Sequence, residues 1–109
     1  MTAASQTISL RFLNRAQVES LLPGEDELVN VIESGLRAHG LKQTVLPPKA
    51  HLVLDHLMNG HFNILSGYVG PIRQAGVKVI GDYVDNWKRQ LPSEIALLTL
   101  YDPETGVPS

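Results

Sequence analysis

Two lysines stand where a full positive charge needs a reason. Lys78 lies between Val77 and Val79 in the apolar stretch GVKVIGDY, and Lys49 follows Pro47-Pro48 in LPPKAHLVL. In a strand, Lys78 shares a face with Ile80 and Asp82, while Val77, Val79 and Gly81 take the other. Two explanations compete. A half-exposed sheet lets the lysine stem cover apolar neighbours while its ammonium reaches water. A lysine aimed into a cleft meets little competing water, and its ammonium then anchors a carboxylate strongly. Lys49 poses the same alternative, since two prolines stiffen the backbone that aims it, yet surface lysines after such turns are common.

Histidines recur at 51, 56 and 61. The odd spacing turns successive members to opposite strand faces, and a turn separates His61 from the others, so a metal site is not expected. The sequence contains no G-x-G-x-x-G, no G-x-x-x-x-G-K-[ST] and no G-x-S-x-G, so dinucleotide and phosphate cradles and a hydrolase nucleophile elbow are missing from it. Trp87, in a polar loop, reads as a cap over the sheet edge.

The elements that must position these residues follow from pattern. Residues 7–13, TISLRFL, have strand composition, and Asn14 and Gln17 have capping-box spacing ahead of a short helix that Pro23-Gly24 ends. Leu28, Val29, Ile32 and Leu36 make one apolar face of a helix over residues 25–39. Acidic residues open it, Arg37 and His39 close it, and Gly40 is its expected left-handed stop. Pro47-Pro48 forces extended chain, and a strand over residues 50–58 is expected to turn at Asn59-Gly60 into HFNILSGYV, with His56 facing Asn63. Strands over residues 76–83 and through EIALLTLY complete a sheet, and DPETG makes a closing turn.

The expected class is therefore α+β, two N-terminal helices packed on an antiparallel or mixed sheet. Residues 1–6 read as a polar tail and 7–109 as one domain, since 109 residues support one core. A net charge of −2 argues against general nucleic-acid binding, and the absence of cysteine excludes disulfides and thiolate metal sites. No apolar run approaches the roughly 20 residues of a membrane span, and the opening MTAASQT lacks signal-peptide features, so a cytoplasmic protein is expected.

In order, LPPKAHL, HFNILSGYV, GVKVIGDYVDN followed by LPS, and LYDPETGVP resemble the N-terminal portion of the ornithine cyclodeaminase/mu-crystallin family. The resemblance covers nearly the whole chain from about Ile8. It implies a substrate-binding and dimerisation domain of an NAD(P)-dependent enzyme acting on an amino or imino acid. Cyclodeaminase, amino-acid dehydrogenase and ketimine reductase chemistry are all open. It places Lys78 at the family's carboxylate-binding lysine, Lys49 where a carboxylate-binding arginine is usual, and Ser93 where a hydroxyl approaches the nicotinamide. Asn63 falls near a position that carries an acid contacting a distal amine in ornithine cyclodeaminases.

The sequence also departs from the family. A lysine at 49 replaces a planar bidentate group by a point charge, Asn63 removes the acid, Val84 and Trp87 replace prolines, and Gln90 replaces a glycine. The resemblance further implies that the Rossmann domain and the catalytic acid lie outside this chain, which alone is expected to be inactive and to bind no cofactor, with a homodimer as its usual assembly. The alternative is a truncated, non-catalytic binding or interaction module of the same fold.

Overall fold

The computed structural model describes residues 5–109; part of the expected polar tail, residues 1–4, lies outside the described residues. Helix α1 (Arg15–Leu21) begins where the sequence places it. The Asn14 side chain accepts from the Gln17 N–H at 3.0 Å and the Gln17 side chain accepts from the Asn14 N–H at 2.9 Å, a reciprocal capping box. Helix α2 (Glu25–Gly40) carries Glu25, Asp26 and Glu27 at its positive end and Arg37 and His39 at its negative end.

The stop of α2 differs from expectation. Gly40 stays helical, and the left-handed residue is Lys42 at φ 60°. The Lys42 N–H donates to the His39 carbonyl and the Gln43 N–H to the Ala38 carbonyl. Those two bonds make a Schellman motif, and satisfying two free carbonyls outweighs the left-handed strain of a lysine.

The sheet is antiparallel throughout. It contains β1 (Thr44–Val45), β2 (Ala50–Val53), β3 (Gly60–Val69), β4 (Gln74–Tyr83) and β5 (Glu94–Tyr101). β3, β4 and β5 form a meander, and β1 and β2 both pair with β3 along its other side. The β3–β4 connection is one 3₁₀ turn closed by Arg73 in the left-handed region, φ 49°. The DPETG turn forms as expected: the Asp102 side chain accepts from the Glu104 N–H and the Thr105 hydroxyl, Gly106 takes φ 74°, and the Arg73 guanidinium pairs with Glu104.

Two sequence expectations give way. Residues 7–13 form no strand, because strand propensity needs a paired neighbour and these have none among the described residues. β2 ends at Val53 rather than at residue 58, so His51, not His56, stands opposite Asn63. Asp55 is the cause. Its carboxylate accepts from the Leu57 N–H at 2.7 Å and its carbonyl from the Met58 N–H at 3.0 Å, a local turn that takes these groups out of the ladder.

The described residues bury little. Ala38 is the one buried hydrophobic among them, α2 lines a shared groove with Thr44, Leu46 and Val69, and Ile95, Leu97, Leu98 and Leu100 of β5 are exposed. The accessible surface is 9408 Å², against about 5,900 Å² for a compact monomer of this mass. No helix among the described residues is long and apolar enough to cross a membrane.

This open surface leads to a first expectation: in sedimentation runs over a concentration series the chain's apparent mass rises with concentration. A constant monomer mass would contradict it. The second concerns Gly60, which lies under the Tyr83 ring, so that an added Cβ would overlap the ring. Gly60→Val should lower stability by about 1–3 kcal/mol through overpacking. Gly35→Ala, inside α2 with nothing within 4 Å, is the control, and equal denaturation midpoints for the two variants would show that the ring does not rest on Gly60.

Candidate functional site

The position of Lys49 depends on a count. Val45 pairs with Tyr68 and Ala50 with Ile64, so four residues, 46–49, stand against three, 65–67. The extra residue is a β-bulge, and it holds both prolines on an edge where their missing N–H groups cost no ladder bond. It also resets the alternation. Ala50 lies on the face of Ile64 and Val79, so Lys49, one residue earlier, enters on the opposite face, that of His51 and Asn63.

Lys78 is on this same face, paired with Leu65 on one side and Leu98 on the other. Extending the β2 register by one residue sets Lys49 across from Leu65. The two lysines thus flank Leu65 in one row across three strands, their backbones about 10 Å apart. Both are exposed. The buried setting envisaged for Lys78 is therefore absent within the described residues, which leave its side chain exposed.

Next to that row is a polar cluster. Asn63 pairs with Ile80, and His61 with Asp82. His61 Nε2 lies 3.6 Å from Asp82 Oδ2, with both side chains about one-third exposed, and the His51 ring meets the His61 ring edge-on at 4.5 Å. Asn63 Nδ2 lies 3.5 Å from His61 Nε2, and Asn63 Oδ1 is buried without a hydrogen-bond partner. Of the three spaced histidines, two come together and His56 points to solvent. The sequence offered no signal for the His61–Asp82 contact, which depends on the register between β3 and β4.

Ser93 stands at the entry to β5, and its carbonyl accepts from the Tyr83 N–H at 2.8 Å. The preceding 3₁₀ segment, residues 84–89, is tied down by Asn86, whose side chain donates to the Pro92 carbonyl at 2.8 Å. Gln90 takes φ 58°, the left-handed conformation that a glycine would adopt without strain. Trp87 caps nothing: it is 70% exposed, with the Lys88 ammonium 5.7 Å from its ring centre.

The same segment borders a cavity of about 310 Å³ lined by Met58, Asn59, Tyr83, Asp85 and Lys88 among others. Asp85, on its lining, clasps two of its neighbours, accepting from Asn59 Nδ2 at 2.7 Å and pairing with Lys88 Nζ at 3.0 Å. The Asn59 hydrogen bond first, and the Lys88 contact second, hold the Asp85 carboxyl below its ordinary 3.8.

Residues 2–109 match the profile of the ornithine cyclodeaminase/mu-crystallin family. An alanine dehydrogenase of Archaeoglobus fulgidus is 34% identical over 100 residues, 88% of this chain and 28% of that protein. Among solved structures, an archaeal alanine dehydrogenase dimer with bound NAD superposes with a TM-score of 0.75 at 31% identity, covering 86% of this chain and 28% of that one. The Thermococcus litoralis Δ1-pyrroline-2-carboxylate reductase, in complex with NADH and L-proline, gives a TM-score of 0.74 at 26% identity over 83% of this chain and 28% of its own. The chain thus spans somewhat more than a quarter of the length of these relatives.

The Asp85 clasp carries a pH dependence whose sign follows from the lowered pKa. A depressed carboxyl stabilises the fold above its unfolded value, and that contribution is lost as pH falls through the folded value. Asn59→Gly keeps the left-handed backbone at φ 47° and deletes the main cause of the shift. The Asp85 midpoint, read from its carboxyl carbon by NMR, should then rise toward 3.8, and the clasp should open at a higher pH. An unmoved midpoint would show that Asn59 does not hold the carboxylate.

Proposed function

Because the chain belongs to the ornithine cyclodeaminase/mu-crystallin family, we propose that it is the substrate-binding and dimerisation portion of an NAD(P)-dependent enzyme acting on an amino or imino acid, with residues 7–109 as that single domain. The observation that carries the proposal is the row Lys49–Leu65–Lys78: the register sets two lysines from different strands on one sheet face, one on each side of Leu65. Two point charges from opposite sides match the two oxygens of an α-carboxylate. The names of the relatives, an alanine dehydrogenase and a pyrroline-2-carboxylate reductase, support a substrate of that class.

Within this proposal each residue has a physical task. Lys78 and Lys49 hold the carboxylate and so fix the orientation of the adjoining Cα. Leu65, between them, keeps the floor apolar, which strengthens the electrostatic contact once the face is covered. Asn63, diagonal to Lys78 in the ladder, lies about 7–8 Å away, within reach of a substrate group a few bonds from the carboxylate. Ser93 is the hydroxyl assigned to the border of the nicotinamide.

Hydride chemistry at Cα would come from an NAD(P) nicotinamide in the whole enzyme. The described residues do not fit its dinucleotide: among them no strand runs through a glycine-rich turn into an α-helix whose N-terminus could take the phosphates. The exposed apolar strand β5 supports assembly as a dimer.

The test is Lys78→Met in the whole enzyme, assayed for NAD(P)(H)-linked turnover of L-alanine and of pyrroline-2-carboxylate. Loss of a charge-assisted hydrogen bond costs about 1.5–3 kcal/mol, so kcat/KM should fall at least about tenfold. The denaturation midpoint should hardly move, since the side chain is exposed on the sheet. Unchanged kcat/KM would mean that Lys78 only snorkels from its strand, and the assigned site would be wrong.

A further inference from the structure

The cavity between the turn that precedes β3 and the 3₁₀ segment has walls of three kinds. Leu57, Met58 and the Tyr83 ring make an apolar side, Asp85 supplies a carboxylate, and Lys88 and Arg89 supply cations. Its volume of about 310 Å³ stands at the small end of ligand pockets, which run from about 300 to 1,000 Å³. It borders the Tyr83 end of β4, five residues from Lys78, so about 17 Å of strand separates it from the lysine row.

Internal bonding decides which of these groups are left for a ligand. Lys88 is taken by Asp85 at 3.0 Å, whereas Arg89 pairs with no carboxylate among the described residues. Asp85 meets Lys88 through Oδ1 and Asn59 through Oδ2. A carboxylate has about four acceptor sites, so each oxygen keeps one open. Asn59 and Asn86 spend Nδ2 on Asp85 and on the Pro92 carbonyl, and the atom each has left, Oδ1, is an acceptor. Leu57 and Met58 are 77% and 57% exposed, apolar surface whose removal from water favours binding.

We propose that this cavity is an amino-acid site apart from the lysine row, one that takes a free apolar α-amino acid. The ligand's carboxylate goes to Arg89, its ammonium to Asp85 and the asparagine oxygens, and its side chain to Leu57, Met58 and Tyr83. Simpler ligands match less of the lining. A phosphate or dicarboxylate meets the Asp85 charge, a plain amine faces Lys88 and Arg89 with nothing to offer them, and an uncharged apolar molecule uses neither pole. A zwitterion with an apolar side chain answers one open acid, one unpaired base and one apolar wall together. The site does not depend on the lysine row, and its occupant need not be a substrate.

The experiment titrates the intact protein with L-leucine and follows the Met58 methyl signal by NMR. Two further probes keep the leucine side chain and lack one pole each: 4-methylpentanoate has no ammonium, and isoamylamine has no carboxylate. Leucine should bind about two- to fivefold more tightly than either, the range that exposed ion pairs supply. Arg89→Gln should erase the preference over isoamylamine and keep the other. Asp85→Asn should erase the preference over 4-methylpentanoate and keep the other. In Lys78→Met the Met58 response should persist, and its loss there would assign leucine to the lysine row and overturn the proposal. So would equal affinities for the three compounds, a preference that survives its matching variant, or a Met58 signal that leucine does not move. Failure of the Lys78 kinetic assay leaves this cavity standing, and failure here leaves the lysine row standing.

Discussion

Everything at the candidate site depends on one missing pair of donors. Pro47 and Pro48 have no N–H, so the edge strand beside β3 cannot run through them as a regular ladder. The chain spends one extra residue there, four against three, before β2 regains its register. That single residue inverts the facing of everything after it. Without it Lys49 and His51 would stand on the Val79 side of the sheet, away from Lys78, and no row of two cations would exist.

What was legible in the sequence divides along the same line. Lys78 sits inside a regular strand, so alternation alone assigns its neighbours, and Ile80 and Asp82 share its face as expected. The Asn14 capping box was legible because both partners lie within four residues. Lys49 was not, since a bulge is a mismatch between two strands and neither strand alone displays it. The His51–Asn63 pairing was hidden for a different reason: Asn59-Gly60 is a strong turn signal, but Asp55 forms a tighter local turn first and shortens β2. The stop of α2 shows the same competition, with Gly40 permitted a left-handed backbone and Lys42 adopting it for the sake of two carbonyls.

The polar cluster beside the lysines is the part that composition could least reveal. His61, Asn63 and Asp82 are ordinary residues in sequence, and only the register of β3 on β4 brings a carboxylate, an imidazole and an amide to one nitrogen. A strand slipped by one residue would carry the same side chains to different faces, which makes the glycine–aromatic contacts on the reverse side relevant. Tyr83 over Gly60 and Phe62 against Gly81, with the two rings 5.7 Å apart, fit only in the observed register. Packing on one face thereby fixes chemistry on the other.

The meander order of the strands also sets a time order. Among consecutive strands that pair, β3 and β4 have the shortest connection, four residues between Val69 and Gln74, and β5 follows β4 directly in the pairing. Hairpins closed so locally form in about 1–10 μs, and neighbouring pairs of this kind keep contact order low. Lys78, Asp82, His61 and Asn63 all belong to that early hairpin. Lys49 belongs to the outer strand, which must bring its prolines and its extra residue into place against an edge already formed. The two lysines share a row only while the outer strand is paired, and a chain whose outer strand has frayed keeps one lysine of the pair and loses the other.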